Sequence, residues 1–233
     1  MFIFTATFIL GSIVSSFLNV VAKSLPVKQN WWSRRSACPY CQKKLTARQL
    51  IPIVSFLIQK GRCHHCNAKL SRLYLLSEIT GGLLFAVPTV FFSTSFFEIL
   101  NAWLFFSLLL TLTLTDLYYQ LIPNKILIAF GVPILFMNPN IVTGVVGFLF
   151  FYGTSLLGKF LFKKETIGGG DIKLYFIIGL ILPFQPLFLA IVISALTALI
   201  YVVFFAKFTR NKPIPFAPFI ALGSIISYLL TFN

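Results

Sequence analysis

Gly168-Gly169-Gly170-Asp171-Ile172-Lys173 stands between an apolar run that ends near Phe162 and another over residues 174–182. The chain has only two aspartates, Asp116 and Asp171, and each sits at the edge of a hydrophobic segment. An ionisable side chain at membrane depth is costly, so it marks a functional site whose partner has to be named. The obvious partner of one aspartate is the other. Gly168, Gly169 and Gly170 remove the β-carbons that would keep a second backbone or a substrate strand away. A paired-carboxylate site for peptide hydrolysis needs both features. The competing reading is a glycine-rich loop in which Asp171 merely caps the following helix.

Working outward, the composition fixes the class. Of 233 residues, 58% are hydrophobic and 10% are charged, against about 25% charged in an average soluble domain. Long uncharged runs then predict an all-α polytopic membrane protein. About eight transmembrane helices are expected, over residues 2–22, 73–92, 98–114, 126–137, 141–162, 173–182, 187–206 and 214–232. The fourth and sixth are short enough to be tilted or re-entrant. Pro88 interrupts the second late, and residues 116–124 read as a loop because of Pro123 and Asn124. The organisation is therefore a first helix (1–22), a cytosolic subdomain (23–72) and a seven-helix membrane domain (73–233). The first apolar run has no basic residue before it, which does not fit a cleavable signal peptide.

Charge sets the orientation. Nineteen Lys and Arg face five Asp and Glu. Such a balance also occurs in nucleic-acid binders, but here the basic residues lie between apolar spans. With eight spans, the loops containing residues 23–72, 125, 159–173 and 207–212 fall on one side and hold every Lys and Arg. The positive-inside rule makes that side the cytoplasm. Asp116 and Asp171 then share the cytoplasmic edge, no nucleic acid is expected as a partner, and the bilayer is.

The polar segment 23–72 has eleven Lys and Arg, no acid and all four cysteines. Cys38-Pro39-Tyr40-Cys41 and Cys63-His64-His65-Cys66 form two C-x2-C pairs, the pattern of a four-thiolate tetrahedral zinc site. A cytoplasmic location argues against disulfides, and no βαβ pattern supports a redox pair. Four thiolates leave no open position, so this zinc is structural and folds a segment too small for a good core. His64 and His65 are expected in solvent. Trp31, Trp32, Arg34 and Arg35 read as an interfacial anchor.

Among the remaining polar residues, Glu78 lies just inside the second span. It can pair with Lys or Arg, bind a cationic group of a substrate, or simply orient its helix. Lys173 can act on Asp171, bind substrate, or snorkel from its helix start. Glu165 reads as solvent-facing, and Asn19 as a donor between helices.

Taken together, these motifs resemble the type IV prepilin leader peptidase family of membrane aspartic proteases. Gly11-Ser12, Phe17-Leu18-Asn19-Val20-Val21 and Leu25-Pro26 resemble its first span. Both cysteine pairs resemble its cytosolic knuckles, and Ser71-Arg72 to Glu78 the start of its second span. Asp116 to Ile122-Pro123-Asn124 resembles its first catalytic aspartate, and Gly168-Gly169-Gly170-Asp171-Ile172-Lys173 its G-x-G-D motif with the following lysine. Pro215-Phe216-Ala217-Pro218-Phe219 resembles its last motif, with Ala217 where Gly is expected. The resemblance implies an endopeptidase in the bacterial inner membrane, with Asp116 and Asp171 catalytic. It would remove the short basic leader of type IV prepilins or pseudopilins at the cytoplasmic face. It also implies, in many members, N-methylation of the new N-terminus from S-adenosylmethionine, although the chain has no glycine-rich cofactor fingerprint. Two other classes fit single features. An ion- or proton-coupled transporter would also carry an intramembrane aspartate pair, but it does not need zinc knuckles. A scaffold would use the zinc module but not the aspartate–glycine pairing.

Overall fold

The fold comes from a computed structural model, which describes residues 1–29, 36–91, 95–138, 140–163, 167–209 and 214–231. Trp31, Trp32, Arg34, Arg35 and Glu165 lie outside the described residues. Apolar runs become helices here because a chain in lipid must satisfy its own backbone polar groups. Among the described residues the regular structure is all helical, with only isolated bridges between extended residues.

In chain order the helices are α1 (Phe2–Ser24), a 3₁₀ turn (Ala47–Leu50), α2 (Val54–Ile58), α3 (Arg72–Phe91), α4 (Phe96–Tyr119), α5 (Asn124–Met137), α6 (Ile141–Phe162), α7 (Gly169–Ile181), α8 (Phe184–Thr209) and α9 (Ala217–Thr231). Outside the small subdomain the described residues form eight, in the expected order. Five of them, α1, α3, α4, α6 and α8, are long and apolar enough to cross a membrane. Helices α5, α7 and α9 have 14, 13 and 15 residues. At about 1.5 Å per residue they are shorter than a hydrocarbon core of about 30 Å. The eighth is shorter than expected because Ala217 is its first residue, after non-helical Ile214, Pro215 and Phe216.

Two further boundaries and one helix interior differ from the reading of the sequence. Helix α4 continues through Asp116 to Tyr119 and stops at Gln120, whose φ is +52°. The turn residues Pro123 and Asn124 sit just beyond that stop and open α5. Gly169 and Gly170 are helical and not part of the preceding loop. Pro88 does not interrupt α3. Membrane helices tolerate proline when neighbours satisfy the freed backbone groups. Trp103 of α4 holds α3 three residues before Pro88: its Nε1 donates to Phe85 O at 2.9 Å and its indole stacks on the Phe85 ring at 5.0 Å.

The chain divides into two compact units, residues 1–114 and 115–233, with the division inside α4. In the first, α1 packs along α3. A β-carbon on Gly11 would lie 2.5 Å from the Gly81 carbonyl oxygen, so the backbones approach too closely for any larger residue. Polar pairs line the same seam: Ser15 Oγ donates to the Ser77 carbonyl, and Asn19 Nδ2 to Ser77 Oγ at 2.8 Å. The interhelical role expected of Asn19 is therefore observed. In the second unit α7 packs against α5 and α6, and α8 against α9. Tyr175 of α7 is fully buried and stacks on Phe151 of α6 at 3.8 Å.

Candidate active site and metal centre

Asp116 occupies the last turn of α4. Its own carbonyl accepts the Gln120 amide at 2.8 Å, which closes the helix beneath the left-handed Gln120. The side chain is 7% exposed. Its Oδ2 accepts the Ala217 backbone N–H at 2.8 Å, and the Phe216 amide also acts on it. Ala217 begins α9, so the carboxylate faces a helix N-terminus, where orphan amides and the helix dipole favour negative charge.

Asp171 is the third residue of α7, behind its N-cap Gly168. It is therefore not the cap that the competing reading made it. Its amide donates to Gly168 O at 3.0 Å. The three glycines do different things. A β-carbon on Gly170 would lie 2.6 Å from Ile122 Cβ, whereas one on Gly169 would meet nothing within 4 Å. A β-carbon on Gly168 would sit 3.2 Å from Asp171 Oδ2. The close approach expected at this motif is thus carried by Gly170, which lets α7 start directly against Ile122. The two carboxylates are near enough for the charge of Asp116 to act on Asp171.

Lys173 is exposed, and its Nζ donates to Asn124 Oδ1 at 3.0 Å. Its visible contact is a tie between the first turns of α5 and α7, and Asn124 was not singled out as its partner in the sequence. Glu78 is elsewhere, in the first unit. Its Oε2 accepts the Ile53 amide at 2.7 Å. The carboxylate therefore serves a main-chain donor, a partner that sequence reasoning missed.

The cysteines converge as expected. Each C-x2-C pair forms a small knuckle with the same wiring. Cys38 N donates to Lys43 O and Gln42 N to Cys38 O; Cys63 N donates to Ala68 O and Asn67 N to Cys63 O. Gln42 and Asn67 both have positive φ, +58° and +56°. The four Sγ atoms lie within 4.8 Å of one another, with Cys38–Cys66 at 3.9 Å and Cys41–Cys63 at 4.0 Å. A tetrahedron with metal–sulfur bonds of about 2.3 Å has edges of about 3.8 Å, so the donors fit a metal of the zinc kind. All four are free thiols. The crowded thiols pull apart: the Cys63 thiol is held down to about 6, first by the Cys66 amide and then by the His65 amide, while the Cys66 thiol, against the Ala68 amide, is pushed up to about 11 by burial and the neighbouring thiols. His64 and His65 are exposed.

Two family profiles match the chain: the bacterial peptidase A24 N-terminal domain over residues 9–92, and the type IV leader peptidase family over residues 103–203. Among relatives, the chain is 36% identical to the prepilin leader peptidase/N-methyltransferase of Bacillus subtilis, covering 95% of this chain and 92% of that protein. It is 30% identical to the type 4 prepilin-like proteins leader peptide-processing enzyme of Escherichia coli, covering 94% and 91%. The prepilin leader peptidase/N-methyltransferase of Vibrio cholerae is 29% identical, covering 96% and 94%. No solved structure matches. These likenesses do not favour the transporter reading, and with relatives so similar over nearly their whole length the chain belongs to the type IV leader peptidase family.

Proposed function

We propose that this protein is a membrane aspartic endopeptidase that removes the leader peptide of type IV prepilins or pseudopilins and then N-methylates the new N-terminus. The observation that carries the peptidase reading is the pairing of the chain's only two aspartates in one unit, each at the end of a helix. Peptide hydrolysis needs a water made nucleophilic and a leaving amine that receives a proton. One carboxylate, ionised, takes a proton from water as its oxygen bonds to the scissile carbonyl carbon. The other, protonated, delivers its proton to the amide nitrogen as the C–N bond breaks. Asp116 and Asp171 fill these two roles. The Ala217 amide holds one oxygen of Asp116 and so fixes the direction of the other.

Around this pair, Gly168 leaves room for the Asp171 carboxylate, Gly170 brings α7 against Ile122, and the open space beside Gly169 admits a substrate strand. Lys173 positions the start of α7. The one-sided distribution of Lys and Arg supports a site at the cytoplasmic face of the plasma membrane. Cys38, Cys41, Cys63 and Cys66 would hold a structural zinc, which organises the knuckles and takes no part in hydrolysis because four thiolates fill its shell. The second half of the relatives' name implies a methyl donor of the S-adenosylmethionine kind, and mass spectrometry of the mature N-terminus tests that activity.

The deciding experiment is cleavage of a prepilin by membranes carrying Asp116→Asn or Asp171→Asn at matched protein level. Both should lose cleavage while still inserting. Either variant working within about tenfold of the parent, roughly 1.4 kcal/mol in barrier, would sink the assignment.

A further inference from the structure

Residues 50–58, Leu-Ile-Pro-Ile-Val-Ser-Phe-Leu-Ile, contain one polar side chain in nine. Hydropathy spans overlook so short a stretch, and it lies within the otherwise basic segment 23–72. Leu57 and Ile58 are 60% and 76% exposed, and Leu50, Ile51 and Val54 are also exposed. In water this would be an unfavourable surface. The same segment, with Phe8, Ile9, Ser12 and Ile13 of α1, lines a cavity of about 600 Å³. Lys23 marks the basic end of α1. Ile13 lies ten residues before it, or about 15 Å along the helix, and Phe8 fifteen residues, or about 22 Å. In a hydrocarbon core of about 30 Å, that places the cavity well below the membrane surface.

The backbone is built for such a place. Hydrocarbon supplies no partner for an amide, so non-helical backbone there must be satisfied by protein. Pro52 has no N–H to satisfy. Val54 N donates to Pro52 O, Ser55 N to Ile51 O and Leu57 N to Ile53 O. Ile53, at φ +63° and ψ −58°, is the centre of a strained γ-turn. Its amide is turned out of the turn, and the buried Glu78 carboxylate accepts it at 2.7 Å. A β-branched residue in this conformation is strained and persists only where its surroundings enforce it. Arg48 and Lys60 flank the stretch, as basic anchors flank interfacial and re-entrant segments.

We propose that residues 50–58 form a re-entrant element immersed in lipid acyl chains beside α1, fastened by Glu78 through the Ile53 amide. Its occupant is the bilayer, because its apolar side chains continue the lipid-facing surface of α1 across a shared cavity. The segment between α1 and α3 is then part aqueous, at the zinc knuckles, and part membrane, at this turn.

The test uses the full-length protein in vesicles doped with a phospholipid that carries a diazirine at the acyl terminus. After irradiation and trypsin, cleavage at Arg48 and Lys60 releases peptide 49–60 intact. Lipid adducts on that peptide should exceed those on the knuckle peptide 36–43 by at least tenfold. Equal, low labelling of the two would overturn the proposal and leave an aqueous or protein-covered turn. Glu78→Leu, which removes the acceptor, should lower the yield on peptide 49–60 severalfold, whereas Glu78→Gln should retain it. Unchanged yield in Glu78→Leu would overturn the fastening role.

Discussion

Asp116 Oδ2 and the Ala217 backbone N–H meet at 2.8 Å although 101 residues separate them in the chain. The contact gives the Pro215-Phe216-Ala217-Pro218-Phe219 motif a physical purpose: it delivers a helix N-terminus to a buried carboxylate. Only the main chain of residue 217 is used, which explains why Ala can stand where Gly is expected in the family. Ala217→Gly should therefore cleave within about threefold of the parent. Ala217→Pro is the informative change. Proline is tolerated at the first position of a helix, so α9 should still form, but the N–H is gone. A hydrogen bond to a charged group is worth about 1.5–3 kcal/mol, and cleavage should fall roughly 10- to 100-fold. Measured prepilin cleavage by the two variants checks this, and equal activity would remove the amide from the account.

The triglycine segment offers two substitutions of opposite sign. Gly170→Ala drives a β-carbon to 2.6 Å from Ile122 Cβ, an overpacking change of about 1–3 kcal/mol. It should lower thermal stability and disturb the start of α7 under Asp171. Gly169→Ala meets open space and replaces glycine in a helix, which favours the fold by up to about 1 kcal/mol. Thermal unfolding in detergent should show the first variant falling below the parent and the second not. The order reversed would refute the division of labour among these glycines.

Much of this was legible in the residues themselves. Hydropathy placed the eight apolar helices outside the small subdomain in order, five of them long and three short, because burying backbone polar groups inside helices is compulsory in lipid. The cysteine spacing foretold a cluster because a four-thiolate shell demands it. What was not legible depends on distant parts of the chain. The end of α4 moved past Asp116 because Gln120, an ordinary residue, takes a left-handed conformation, while the louder turn signal sits at Pro123 and Asn124. Glu78 could be flagged as costly, but its partner is a main-chain amide at Ile53, and no side-chain type announces that. The same holds for Ala217, where the flanking prolines were the only trace of a helix start.

The metal is separable from the chemistry. Purified protein should contain about one zinc per chain. Cys38→Ser combined with Cys63→Ser should lose it, because each knuckle supplies half of the sulfur cluster and thiolate ligation drives folding of such modules. The membrane helices should remain, since α1 packs along α3, α6 along α7 and α8 along α9. Elemental analysis and helical circular dichroism on one sample check both halves. Parent protein with negligible zinc would remove the metal from the proposal.

The final expectation concerns how Asp116 and Asp171 act together. If they are one catalytic unit, removing either leaves nothing for the other to assist. The double variant Asp116→Asn with Asp171→Asn should then be about as inactive as each single variant, a gross departure from additivity. Independent contributions would instead multiply. The pH dependence carries the same signature. At low pH both carboxyls are protonated and no base is present; at high pH both are ionised and no acid is present. Cleavage should follow a bell whose two limits belong to the pair and not to either residue. Lys173→Met provides the control, because the Lys173 ammonium bonds to Asn124 Oδ1. Losing that tie should lower activity through the placement of α7 but leave the bell in place. A profile with a single limb, or a double variant far slower than either single one, would show that the two aspartates do not share the reaction.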